Sequence, residues 1–288
     1  MHTSSFKDIF TLTRFPVSLA VTFSAFTAMV LAKGELSWSM LWPVAGIFLL
    51  ASGASAYNQY QEWPYDEKMQ RTRRRPIPSR RISPAEGVRI ALIGIAGGLM
   101  ILMYQANWIC FLLGIGNLIW YNGIYTWLKR KTAFAVVPGA LTGVIPILMG
   151  WTAMEGDLLN PNALFLAFFI FIWQMPHFWM LTLKYGHEYR NAGFPVLSDL
   201  FSDILIKTIV MMWMIASSGA SILFVFFRII QHPVIGYTVI TINIMLLLLM
   251  AYQLFLASPM RFRLIFITAN LFMMIVLLSL IADKLIIS

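Results

Sequence analysis

The sequence predicts an all-α, polytopic membrane protein: about nine transmembrane helices forming one domain over residues 1–288, around a central cavity open to the cytoplasmic side. Three observations predict it. Charged residues make up 11% of the chain against 59% hydrophobic, with a mean hydropathy of +0.76, whereas a soluble domain carries about 25% charge. The apolar residues gather into nine runs, each close to the ~20 residues that cross a bilayer core. Lys and Arg, finally, are divided unequally between the two sets of run ends, which is the signal that sets orientation.

The runs fall at 15–32, 38–60, 83–104, 106–127, 134–153, 161–182, 205–227, 233–256 and 264–282. The first exceeds the ~7–15 apolar residues of a signal peptide, so it reads as a retained helix. In the second, Pro64 has no amide proton and its ring opposes the Tyr60 carbonyl, so the helix should kink or end between Glu62 and Asp66. Only Gln105-Ala106-Asn107 separates the third run from the fourth, which demands a tight turn. The fifth carries Gly139, Gly143, Pro146 and Gly150: small residues one turn apart let helices approach closely. The sixth, like the second, runs into an acidic and basic segment, read as a loop over 183–204.

Of the 21 Lys and Arg, all but Lys33, Arg228 and Lys284 stand at one set of ends. The positive-inside rule then makes the N-terminus and the 60–82, 128–133 and 183–204 loops cytoplasmic, with the C-terminus opposite. The other face has short links, Gly34-Glu35 and 155–157. The net charge of +9 is thus a topological signal, and a nucleic-acid partner is not implied. Cys110 lies alone in an apolar run, which excludes an intramolecular disulfide.

Three stations can carry chemistry. Asn58, Glu62 and Asp66 are spaced i, i+4, i+8, within an arc of roughly 80° on a helix. Lys68, Arg71, Arg73, Arg74 and Arg75 follow within eight positions. Carboxylates for a hard cation beside bases for an anion suit a metal–diphosphate complex; carboxylates that merely balance arginines at a membrane surface are the plainer alternative. The second station, Tyr125-Thr126-Trp127-Leu128-Lys129-Arg130, is either an interfacial anchor or a pair of bases over a bound anion. In the third, Lys184 and Glu188 form a surface helix pair or supply a phosphate base and a carboxylate ligand. His177 lies within an apolar segment, where ionisable groups are costly and often functional; a hydrogen-bonded structural His fits equally. Tyr57, Tyr60, Trp63, Tyr65, Trp173, Phe178 and Trp179 form an interfacial belt or offer ring faces to a cation, an allylic carbocation included.

Together the stations resemble a known family. Asn58-x3-Glu62-x3-Asp66-x2-Met69-x-Arg71-Thr72-x2-Arg75-Pro76 is similar to the first signature of the UbiA-type intramembrane prenyltransferases, particularly their protoheme IX farnesyltransferase (heme O synthase) branch. Tyr125-Thr126-x-Leu128-Lys129-Arg130-x-Thr132, the Gly139–Trp151 offsets, Pro176-His177-Phe178-Trp179 and Lys184-x3-Glu188-Tyr189-x2-Ala192-Gly193-x-Pro195 extend the likeness over roughly residues 50–200. The branch usually has Asp at Pro64, Asp at Glu188, Asn at Ala135 and Pro at Ile147. These departures bear on the acceptor more than on prenyl transfer.

The resemblance implies Mg²⁺ as cofactor, one ion held by Asn58, Glu62 and Asp66 and a second by Glu188. It implies a diphosphate gripped by Lys68, Arg71, Arg75, Lys129, Arg130 and Lys184, and an acceptor near His177 and Tyr189. Asn58, Glu62, Asp66, Arg71 and Glu188 would form the catalytic set. The implied substrates are farnesyl diphosphate and protoheme IX, in a bacterial cytoplasmic membrane, with a heme-modifying or cytochrome oxidase assembly partner downstream. Three alternatives stand beside this: another flat acceptor such as a quinone precursor, a transporter or lipid carrier, and an inactive structural subunit. The charges cluster at one membrane face, whereas transporter sites lie near the midplane.

Overall fold

A computed structural model describes residues 5–154 and 156–287; Glu155, in the second short link, lies outside them. Among the described residues, nine helices are long and apolar enough to cross a membrane. A short surface helix, α1 (Phe6–Leu12), precedes them. They follow as α2 (Phe15–Lys33), α3 (Trp38–Asp66), α4 (Pro84–Gln105), α5 (Trp108–Leu128), α6 (Ala133–Met154), α7 (Pro161–Asn191), α8 (Asp203–Phe226), α9 (Pro233–Leu256) and α10 (Phe262–Ile287).

Two helices run past their apolar stretches. α3 continues through Pro64, which stands exposed in its last turn, and ends at Asp66. α7 continues through Pro176 to Asn191, so Lys184, Glu188 and Tyr189 lie on a helix and not on the expected loop. Hydropathy falls there because the chain leaves hydrocarbon, while nothing breaks the backbone until Gly193 at φ +91° and then Pro195. At 31 residues α7 is about 46 Å long, against a hydrocarbon core of ~30 Å. The turn between α4 and α5 is as tight as expected, with the Asn107 side chain accepting from the Cys110 amide at 2.8 Å.

Glycines set the packing. α3 packs along α4 more extensively than any other helix pair. A β-carbon on Gly53 would stand 2.6 Å from the Ile95 amide nitrogen, and one on Gly98 2.6 Å from that of Leu50. On α6, Gly150 abuts the Ala25 backbone of α2, Gly143 the Gln174 side chain of α7, and Gly139 the Tyr125 ring of α5. The expected close approach therefore makes α6 a hub between three neighbours. The larger apolar core, around Phe169, Trp173, Met214, Phe224 and Phe272, joins α7–α10 to one another and to Ala28 of α2 and Ile147 and Trp151 of α6. A second joins α2 to α6 around Met29, Leu50, Leu102, Cys110 and Met149. Between α2, α3, α5 and α6 lies a small, mainly apolar cavity of about 30 Å³, lined by Val21, Ile47, Ala54, Gly114, Tyr121 and Met149 among others.

Candidate functional site

The last three turns of α3 carry the first station. Asn58, Glu62 and Asp66 are 2%, 3% and 1% exposed. A carboxylate so buried is costly without a partner, and each of the three side chains has found a cation from a different segment. Asn58 Oδ1 accepts from Arg14 Nη2 at 3.0 Å. Glu62 Oε1 lies 2.6 Å from Lys129 Nζ, beyond the end of α5. Asp66 Oδ2 lies 2.7 Å from Arg75 Nη1, in the loop after α3. That loop folds back because the Thr72 hydroxyl donates to the Asp66 carbonyl at 3.0 Å.

α5 presents its partners through a π-helical segment, Ile119–Tyr125. Such wide turns occur mostly as single bulges and often at functional sites. Here Thr126 Oγ1 donates to the Tyr121 carbonyl five residues back, at 2.8 Å, and accepts from Asn58 Nδ2 at 3.0 Å. Asn122 Nδ2 reaches the Ala54 carbonyl at 3.0 Å and Gln61 Oε1 at 3.2 Å. Arg130 donates to the Gln61 carbonyl at 2.8 Å and lies over the Tyr65 ring at 4.7 Å.

The extended end of α7 closes the cluster. Glu188 Oε2 accepts the Arg71 backbone amide at 3.0 Å, and Arg71 Nη2 donates to the Tyr189 hydroxyl at 2.9 Å. The Arg71 guanidinium lies 4.9 Å over Tyr185. Lys184 turns toward Tyr185 and Phe262, 4.9 and 4.8 Å from the ring centroids. Lys68 is exposed and lies 5.9 Å over Tyr65.

Electrostatics follow from this crowding. Burial alone would lower the Lys129 pKa, but the Glu62 carboxylate outweighs it, aided by Tyr125 and Tyr189, and holds the ammonium above its ordinary value. Arg75 is shifted the other way by burial first and the nearby Arg14 second, with Asp66 compensating only in part.

The structure therefore brings together Asn58, Glu62, Asp66, Arg71, Arg75, Lys129, Arg130, Glu188 and Tyr189. His177 is not among them. It precedes Glu188 by three turns on α7, about 16 Å along the axis, and packs against Trp173, Phe178 and Phe266. Its Nδ1 is buried without a protein partner. Arg14 and Tyr121 join the cluster although the sequence reading gave them no chemical role, and Thr126 of the second station joins through its hydroxyl. For Arg14 the available signal was a lone base at a membrane end, just before Phe15-Pro16.

Among the described residues, no three His, Cys, Asp or Glu side chains gather around one point. The oxygen set on α3, two carboxylates and the Asn58 amide, nevertheless fits Mg²⁺. That ion takes one or two protein carboxylates and fills its shell with waters and substrate phosphate oxygens.

Fold and site thus define a helical intramembrane protein with a dense, charge-paired cluster at one end of its bundle, suited to a polyanion. The chain belongs to the UbiA prenyltransferase family, whose model matches residues 20–280. It is 32% identical over 275 residues to a protoheme IX farnesyltransferase of Oleidesulfovibrio alaskensis, covering 96% of this chain and 95% of that one. Namesakes from Marinobacter nauticus and Bdellovibrio bacteriovorus are 38% and 37% identical, over 68% and 57% of this chain and 65% and 57% of theirs. The fold is that of a UbiA homolog from Aeropyrum pernix, with a TM-score of 0.75 at 16% identity over 94% of this chain and 98% of that one. It is also that of a UbiA homolog from Archaeoglobus fulgidus bound to GPP and Mg²⁺, with a TM-score of 0.67 at 14% identity over 95% and 99%.

Proposed function

We propose that this chain, acting as a single domain, transfers a farnesyl group from farnesyl diphosphate to a vinyl group of protoheme IX in a Mg²⁺-dependent reaction. One observation carries the reading: Asn58, Glu62 and Asp66, buried one turn apart on α3, are each answered by a cation from a different segment. Such a cluster exchanges partners readily, its cations turning to phosphate and its oxygens to a metal, without exposing an unpaired charge. Likeness to the protoheme IX farnesyltransferases supports the choice of donor and acceptor.

In this reading Asn58, Glu62 and Asp66 would hold one Mg²⁺ and Glu188 a second, which when bound would neutralise and polarise the diphosphate. Arg71, Arg75, Lys129 and Arg130 orient the diphosphate oxygens, with Lys68 and Lys184 at the rim. The allylic C–O bond breaks and its electron pair leaves with the diphosphate, where these cations stabilise the developing charge. The vinyl π electrons form the new C–C bond. Water then adds its oxygen to the resulting carbocation and loses a proton, leaving a hydroxyethylfarnesyl group. Apolar helices shield the allylic cation from water until then. Tyr189, hydrogen-bonded to Arg71, and His177, farther along α7, would contact the acceptor. The charged end faces the cytoplasm, a reading supported by the uneven Lys and Arg distribution. A heme-modifying or oxidase-assembly partner downstream rests on the chemistry of the product alone.

The experiment is turnover of farnesyl diphosphate by purified protein with protoheme IX and Mg²⁺, read by mass spectrometry of the porphyrin. Addition of a hydroxyethylfarnesyl group is expected. Diphosphate released only when other aromatic acceptors are offered would replace the acceptor and keep prenyl transfer.

A further inference from the structure

We propose that α1 is a clamp that seats Arg14 as a substrate-contacting cation, with Asp8 and Arg81 as its positioning pair. This rests on the prenyl diphosphate reading above and adds to it a cation and a device that holds it.

Arg14 joins α1 to α2 in the left-handed conformation, at φ +47°. A residue with a β-carbon adopts that conformation only where its surroundings enforce it. The guanidinium points inward. Nη2 donates to Asn58 Oδ1 at 3.0 Å and Nη1 to the Tyr121 hydroxyl at 3.4 Å, while Nε is buried with no partner. One N–H of a planar, permanently charged fork is therefore unused beside Glu62 and Asp66, whose carboxylates favour its charge. A phosphate oxygen is an acceptor that such a fork matches in charge and geometry.

The enforcement comes from α1. Gln59, next to Asn58 on α3, donates through Nε2 to the Thr11 and Leu12 carbonyls at 2.8 and 2.9 Å, holding the end of α1. Leu12 is fully buried with Ala56, Ile77 and Ile82. Asp8 Oδ1 accepts from Arg81 Nε at 2.7 Å, and Arg81 Nη2 donates to the Arg74 carbonyl at 2.8 Å. Asp8 thereby ties α1 to the loop that carries Arg71 and Arg75. The clamp spans α3 and that loop, so Arg14 and the loop cations are registered to one another before substrate arrives.

The test is the affinity of the purified full chain for inorganic diphosphate with Mg²⁺, by calorimetry, beside melting temperature. R14Q is expected to weaken binding about 10- to 100-fold. R14K, which keeps the charge and loses the fork, should fall between the two and carries the test if R14Q does not fold. D8N and R81Q should each weaken binding about threefold at unchanged melting temperature. The charge swap D8R/R81D should restore it, which a merely structural role would not predict. Wild-type affinity in R14Q or R14K, or a swap no better than D8N, overturns the inference. Farnesyl diphosphate turnover by the wild type decides the enzymatic reading separately.

Discussion

Glu62 shows how much rests on single pairs. Its carboxylate is 3% exposed and 2.6 Å from Lys129, so K129M should strand a buried charge and cost about 3–5 kcal/mol. The double variant E62Q/K129M removes both partners and should melt higher than K129M; a double as unstable as the single would mean that the pair is not coupled. For chemistry, E62Q and D66N should each lower kcat/KM by about 10²–10³-fold with folding intact. Wild-type Mg²⁺-dependent turnover in both would take the two carboxylates out of the metal site. The three oxygen side chains were legible in the sequence because helical spacing alone puts them on one face. Their partners were not: Arg14 and Lys129 arrive from distant segments, and nothing in local spacing says which base meets which acid. Pro64 is exposed, so the carboxylate usual at that position is missing from the surface and not from the buried cluster. Ile147, by contrast, is fully buried in the large core.

At the scale of elements, nine apolar runs announced nine helices, and turn chemistry located their short links. What hydropathy could not reveal is helix that continues beyond the hydrocarbon, because backbone hydrogen bonding does not depend on side-chain polarity. The ends of α3 and α7 carry most of the site and lay outside that signal. The π segment of α5 was equally silent, since a one-residue change of pitch leaves composition untouched. The glycines of α6 were readable as contact points, and the structure allows a contrast. A β-carbon at Gly150 meets the Ala25 backbone, whereas one at Gly116 meets nothing within 4 Å. G150A should therefore destabilise the bundle by about 1–3 kcal/mol. G116A should leave melting unchanged or raise it slightly, by up to about 1 kcal/mol. Equal effects in thermal melts would mean that α6 and α2 are not in backbone contact.

For the whole molecule, charge distribution and helix count point to one orientation, and the solitary buried Cys110 makes that testable with little background. In intact cells or sealed vesicles, R74C should react with an impermeant maleimide only from the cytoplasmic side and D157C only from the other. Labelling of both from one side would overturn the nine-span topology. The length of α7 has a further consequence. A helix of about 46 Å carries Glu188 and Tyr189 beyond a hydrocarbon layer of ~30 Å, so a reaction run there sits on a phase boundary. In the proposed reaction the diphosphate would depart into water while the prenylated product stays in lipid, and the two would separate by partitioning alone. The oily reactants are then counted as mole fractions of the surrounding lipid. Adding buffer to such vesicles should leave the rate per enzyme unchanged, whereas adding inert lipid should slow it.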